Sequence, residues 1–215
     1  MNYIVIIDIG INNIRSIIGA VNYLGFKTIV SDKENIIMDS SGLIIPGVGS
    51  FPAGMKKLKT KGLDKVIKRY HKMQKPILAI CLGFQMLFTS SEEFKHTKGL
   101  NILTGKIKSL KKLKANNIVP NLGWKKLEYI KKKSNYLFKG LKKKPSIYFI
   151  HSYFAEVKNK KLVTSTINFG RKKVTSSVQH KNLFGVQFHP EKSSEDGINI
   201  IKNFLDRIKK SENKI

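Results

Sequence analysis

Three short aliphatic runs constrain this chain more than any other feature: "YIVIID" (3–8), "GLIIPG" (42–47) and "PILAI" (76–80), each running into a glycine-containing turn. They are too short for helices and apolar at consecutive positions, the pattern of strands buried on both faces. Amphipathic segments separate them. Asn12 or Asn13 can cap a helix that runs to about Leu24 and closes at Gly25, and "AGMKKLKTKGLDKVIKRYHKM" (53–73) reads as one or two helices. "KTIVS" (27–31) adds a strand. Strands that alternate with helices at this spacing imply βαβ units and a parallel sheet covered on both sides.

From about residue 100 to 190 the texture changes to "VTSTINFG", "KVTSSVQH" and "NLFGVQF", with turns at 168–170 and 180–182. These segments read as added, partly antiparallel strands, followed by a last helix from about Ser194 to Ile208. No repeat or low-complexity linker divides the chain. The expected architecture is α/β: an open, mostly parallel sheet with helices on both faces and added antiparallel strands, forming one domain over residues 1–215.

A hydrophobic fraction of 41% is that of a globular chain. The net charge of +27 raises the question of nucleic acid, but only four of the 41 basic residues are arginine, the residue on which base-edge and phosphate-fork recognition leans. The lysines come in short scattered runs. Nucleic-acid binding is therefore disfavoured, and an acidic protein partner or a phosphorylated ligand nearby fits the excess better. No window reaches the 18 or more apolar residues of a membrane span, and Asp8, Asn12, Asn13 and Arg15 interrupt the apolar start as no signal peptide allows. One cysteine makes no internal disulfide, so a reducing, cytoplasmic setting is expected.

That cysteine, Cys81, stands between the strand "PILAI" and a helix expected over about 83–88. A strand-to-helix turn there would push the thiol over the carboxyl edge of the sheet, where open α/β sheets place ligands, as a nucleophile elbow does. The alternative is a small buried core residue, which free cysteines most often are. A thiol nucleophile needs a base. In "FGVQFHPEKS" (184–193), His189 ends an apolar strand, and Glu191 would project to the same side of an extended backbone. Apart from Cys81, a solvated turn explains this stretch as well. His71 and His96 lie in lysine-rich stretches and His180 in a turn. No histidine pair has metal-ligand spacing, so neither a metal nor a cofactor is expected. "LIIPGVGSF" (43–51) adds a glycine loop at the same sheet edge, whose backbone could form an oxyanion hole.

Taken in order, the glycine loop, the cysteine elbow and the His-Pro-Glu block resemble the class I (triad) glutamine amidotransferases. "DIGINNIRS", "IIPGVGSFPAGMKKL", "ICLGFQMLFTSSEE", "PNLGWKKL", "YFIHSYF" and "FGVQFHPEKS" are similar, nearly end to end, to the glutaminase subunits of imidazole glycerol phosphate synthases. The resemblance implies that Cys81 attacks the glutamine carboxamide, that His189 relays the proton to departing ammonia and that Glu191 orients His189. It implies an oxyanion site at the Leu82 N–H and the Gly47, Val48 and Gly49 backbone. Gln85, Glu93, Ser152 and Tyr153 match glutamine-contacting positions. Asn12, Asn13, Trp124 and Lys192 match positions facing a separate (β/α)8 barrel synthase of the HisF type, which would receive the ammonia, pair with the glutaminase as a heterodimer and activate it.

The sequence departs from the family pattern at Ile9 and Asn12 in the first loop, at Ala79 and Phe84 around the elbow, and at Asn121 and Lys125 in "PNLGWK". None of these touches the triad. They leave room for a different ammonia-consuming partner, such as a surface-sugar amidation enzyme. A basic binding protein with an idle triad and a free-standing cysteine hydrolase are the remaining readings.

Overall fold

The computed structural model describes residues 3–10, 14–115, 117–130 and 136–212, so Asn12 and Asn13 lie outside the described residues. The first half alternates as the sequence implies: β1 (Tyr3–Ile7), α1 (Ile14–Tyr23), β2 (Lys27–Ser31), α2 (Glu34–Asp39), β3 (Gly42–Ile45), α3 (Phe51–Thr60), α4 (Leu63–Lys72) and β4 (Ile77–Ile80). The short helix α2 carries no strong periodicity and was not anticipated. After Cys81 come α5 (Leu82–Met86), β5 (Phe88–Ser91), β6 (Thr97–Lys98) and β7 (Leu103–Ser109). Then follow β8 (Asn121–Lys126), β9 (Glu128–Tyr129), β10 (Ser146–His151), β11 (Tyr153–Val157), β12 (Val163–Phe169), β13 (Lys172–His180), β14 (Leu183–Val186) and α6 (Ser194–Glu212).

The main sheet has eight strands in the order β2-β1-β3-β4-β14-β13-β12-β9. Strands β2, β1, β3, β4 and β14 run parallel, and β13, β12 and β9 extend the sheet antiparallel. One expectation is corrected here. The "NLFGVQF" strand pairs antiparallel with β13 on one side, but on the other it lies parallel to β4, with Leu183 to Val186 against Ile77 to Ile80. It belongs to the centre of the sheet, because all four of its residues are buried and only a central position covers both faces.

The strand period of two sorts the core into two layers. Val5, Ile7, Leu43, Ile45, Ile77 and Ala79 face α3 and α4, while Ile4, Ile6, Ile44, Leu78 and Ile80 face α1 and α6. Helix α4 supplies Leu63, Val66, Ile67 and Tyr70, a stripe at positions i, i+3, i+4 and i+7. At the buried end of that stripe the Tyr70 hydroxyl donates to the Ser40 carbonyl at 3.1 Å, so a polar tip is not left unpaired in the core. A smaller sheet, β11-β7-β5-β6, and a ribbon of β10 with β8 complete the chain. Both lie after β4 in sequence and bring their ends to the carboxyl edge of the main sheet, where β4 stops at Cys81.

Candidate active site

Cys81 has φ 52° and ψ −109°, a left-handed conformation that side chains with a Cβ rarely adopt and that costs about 1–3 kcal/mol. Bonds on both sides impose it. The Cys81 N–H donates to the Val186 carbonyl at 2.8 Å, continuing the pairing of β4 with β14, and the Cys81 carbonyl accepts from Gln85 N–H at 3.0 Å, opening α5. A Cβ on Gly83 would sit 2.0 Å from the Ile45 carbonyl oxygen, so only glycine lets α5 press this closely onto β3. The helix spans five residues, shorter than the 83–88 expectation, because Phe88 already begins β5. So short a helix lends the thiol little dipole, and the groups that act on the sulfur are the side chains around it.

His189 follows β14 beyond Val186, and its N–H donates to the Tyr148 carbonyl at 3.0 Å. Its Nδ1 donates to Glu191 Oε1 at 2.7 Å, with both side chains almost wholly buried. The contact was expected from an extended backbone. In the structure, Pro190–Lys192 form a 3-10 turn instead, begun by Pro190, whose fixed φ and missing N–H suit the first position of a helical turn. Burial opposes charge on His189, but Cys81 and the Glu191 carboxylate outweigh it and raise its pKa to about 10. His189 lines, with Cys81, a cavity of about 330 Å³.

A buried cysteine in a left-handed strand-to-helix turn thus shares a cavity with a buried His–Glu ion pair, the constellation of a thiol nucleophile and its oriented base. The sequence pattern of the family "Glutamine amidotransferase class-I" matches residues 5–208. The chain belongs to that family. It is 42% identical over 201 residues to the imidazole glycerol phosphate synthase subunit HisH of Bacillus mycoides, covering 94% of this chain and 93% of the relative. It is 38% identical over 213 residues to the HisH of Moorella thermoacetica, covering 99% of each. Among solved structures, one chain in the structure of PurLQS from Thermotoga maritima shares the fold, with a TM-score of 0.72 at 20% identity over 96% of this chain and 98% of that one.

In this amidotransferase the cavity also gathers Val48, Gly49, Leu82, Gln85, Glu93, Ser152 and Tyr153, all anticipated from the sequence. Gly47 does not line it. Its backbone does something other than expected: the Gly47 carbonyl accepts from the Leu82 N–H at 3.3 Å, which occupies the donor assigned to an oxyanion. Gly49, at φ 98°, has open space where a Cβ would be, so the loop has room to turn. Glu93 is engaged at one oxygen: Oε2 accepts from the Phe51 N–H at 2.7 Å, placing a carboxylate at the N-terminus of α3, directly after the glycine loop. Burial, opposed by that hydrogen bond, raises its pKa.

Two residues of the site were missed. His151 donates from Nδ1 to the Tyr153 carbonyl at 2.8 Å and accepts at Nε2 from the Asn121 amide, also at 2.8 Å, and burial lowers its pKa to about 4. It is a neutral imidazole held at both nitrogens. Gln187, wholly buried, lies two residues before His189, and the strand period that aligned His189 with Glu191 could have shown it. His71 and His180, read as surface and turn residues, are partly buried against one another, with ring centroids 5.9 Å apart, far from Cys81 along the sheet.

Trp124 and Lys192 stay outside the cavity. On the β8–β10 ribbon Leu122 pairs with Ile150 and Trp124 with Tyr148, so these four share one face, and Leu122, Trp124 and Ile150 remain 53%, 50% and 44% exposed. Lys192 Nζ sits 6.0 Å over the Tyr148 ring. Ile150 also lines the cavity, so this apolar face reaches its rim. Among the described residues, no cluster of three or more His, Cys, Asp or Glu could hold a metal, and no helix is long and apolar enough to cross a membrane.

Proposed function

We propose that this chain is the glutaminase subunit of an imidazole glycerol phosphate synthase, with Cys81, His189 and Glu191 as its triad, in one domain spanning residues 1–215. The observation that carries the reading is Cys81 at a strained elbow beside the buried His189–Glu191 pair. The HisH relatives, matched over nearly their whole length, support the pathway. The Cys81 sulfur attacks the side-chain carboxamide carbon of glutamine, and the carbonyl electron pair moves onto oxygen. Collapse of that tetrahedral species expels the amide nitrogen, protonated by His189, as ammonia and leaves a glutamyl thioester. His189, now neutral, takes a proton from water, whose oxygen displaces the thiol and releases glutamate. Glu191 holds the imidazole in one tautomer and stabilises its charged form.

Gln85, Glu93, Ser152 and Tyr153 surround the bound glutamine. The oxyanion requires the Leu82 N–H, so the Gly47 carbonyl has to release it and the 47–49 loop has to turn a backbone N–H inward. The free subunit is therefore nearly silent. The exposed apolar face at Leu122, Trp124 and Ile150, flanked by Lys192, is the docking surface for the ammonia-consuming partner, a HisF-type barrel synthase that forms imidazole glycerol phosphate and AICAR. We place the protein in the cytoplasm and assign no nucleic-acid role to its +27 charge, because arginine is scarce and the lysine runs are scattered.

Ammonia release from glutamine by the purified chain, with and without a barrel synthase loaded with its ribonucleotide substrate, tests the reading, with Cys81→Ala as the blank. Stimulation of about 10²-fold or more is expected, the scale of one oxyanion donor restored. Silence with that synthase, alongside a response to another synthase, would transfer the protein to a different ammonia-using pathway.

A further inference from the structure

The hydrogen bonds around the Cys81 sulfur define a second group acting on it. Beyond its interaction with His189, Sγ has two hydrogen-bond partners among the described residues, the Gln187 amide nitrogen at 3.7 Å and the Ile150 carbonyl at 4.0 Å. Their effects are opposite. A carbonyl accepts only from a protonated thiol, whereas an amide N–H donates most strongly to a thiolate.

Which end of the Gln187 amide faces sulfur follows from a chain of bonds with one possible direction. The Tyr153 carbonyl can only accept, and it takes Gln85 Nε2 at 3.2 Å as well as His151 Nδ1. Gln85 must therefore present its NH2 group there, and the same nitrogen donates to Gln187 Oε1 at 2.9 Å. Reversing Gln187 would set two NH2 groups against each other and leave a carbonyl oxygen facing Sγ. The backbone is fixed too, since the Gln187 N–H donates to the Ser176 carbonyl at 2.8 Å. Gln187 is wholly buried, so no water competes for its donor.

We propose that Gln187 is a catalytic residue of this enzyme: its side-chain N–H, aimed by the Tyr153–Gln85 relay, donates to the Cys81 sulfur, favours the thiolate over the thiol and holds the sulfur beside His189. Gln187 and His189 thus flank the nucleophile from one strand extension, one with a neutral donor and the other with a charge. The inference rests on Cys81 being the nucleophile, but not on which synthase consumes the ammonia.

The single cysteine makes the test direct, because a thiol-alkylating probe reports on Cys81 alone. The rate of iodoacetamide alkylation is followed against pH for the free, full-length protein without glutamine or partner. Gln187→Met keeps length and volume and removes the donor; it should raise the alkylation midpoint by about one pH unit, the worth of one hydrogen bond to a charged group. With a stimulating partner present, kcat should fall by about 10-fold or more while KM for glutamine changes less than about threefold, as expected for a group acting on the nucleophile. Gln85→Met, which removes the relay and leaves Gln187 free to flip, should move the midpoint in the same direction by less. If folded Gln187→Met alkylates with an unchanged midpoint, Gln187 is only a packing residue and the proposal falls. If Gln187→Met does not fold, an unchanged midpoint in Gln85→Met overturns it equally. A wrong assignment of the partner leaves all these midpoints untouched.

Discussion

His189 and His151 line the same cavity and are both buried, yet one imidazole is held charged and the other neutral. Both are under 10% exposed, so burial penalises the imidazolium at each. At His189 a carboxylate and the Cys81 sulfur outweigh that penalty, and the pKa rises to about 10. At His151 burial dominates, its hydrogen-bond partners are an uncharged carbonyl and amide, and the cationic His189 and Lys125 lower it further, so the pKa falls to about 4. Counter-charge separates an imidazole held protonated beside Cys81 from one that braces a backbone carbonyl. The Tyr153 carbonyl so braced also aims Gln85.

The largest effect should come from removing that counter-charge. Glu191→Gln keeps the shape, and the partner-stimulated glutaminase rate is expected to drop by about 10³–10⁴-fold, as when an orienting carboxylate is neutralised in a triad. The His189 pKa, followed by NMR, should fall towards the ordinary value near 6.5. A loss under about tenfold with an unchanged His189 titration would break the comparison.

Stability against pH separates the two histidines next. The folded pKa of His189 lies above its unfolded value, so its contribution is complete below about pH 6.5 and is lost as pH rises towards 10. For His151 the folded pKa lies below, so the native state loses stability as pH falls from about 6.5 towards 4, where the unfolded chain binds the extra proton. Urea midpoints measured across this range should peak between the two limbs. His151→Gln should flatten the acid limb, and Glu191→Gln mainly the alkaline limb, because the His189 charge supplies only a lesser part of the His151 shift; if either variant flattens both limbs equally, the histidines titrate as one unit.

The smallest effect sharpens the contrast by making one site more like the other. Asn121→Asp sets a carboxylate 2.8 Å from His151 Nε2, as Glu191 stands to His189, and should raise the His151 pKa by about 1–3 units in an NMR titration. An unmoved value would mean that burial alone governs His151.

Much of this was legible in the residues. "YIVIID", "GLIIPG" and "PILAI" revealed buried strands because consecutive apolar positions suit a strand covered on both sides, and the expected parallel sheet is present. The cysteine after "PILAI" and the His-Pro-Glu after "VQF" marked both halves of the site, since a strand end followed by Gly or Pro is a local event with few conformations. Less was legible where one residue's role depends on another far along the chain. The placement of β14 against β4 joins residues more than a hundred positions apart. The Leu82 N–H is occupied by the Gly47 carbonyl, a partner 35 positions earlier in the chain.

The sequence by itself determined the layered α/β plan, the place of Cys81 at a strand-to-helix turn and the chain's likeness to a glutaminase, because periodicity and turn chemistry act through neighbouring residues. The tertiary structure alone decided the contrasting pKa shifts of His189 and His151, the direction of the Gln187 amide and the bond between the Leu82 N–H and the Gly47 carbonyl. Each of these depends on burial and on partners contributed by separate segments, and electrostatic strength inside a protein is set by what the fold brings together and what it keeps from water.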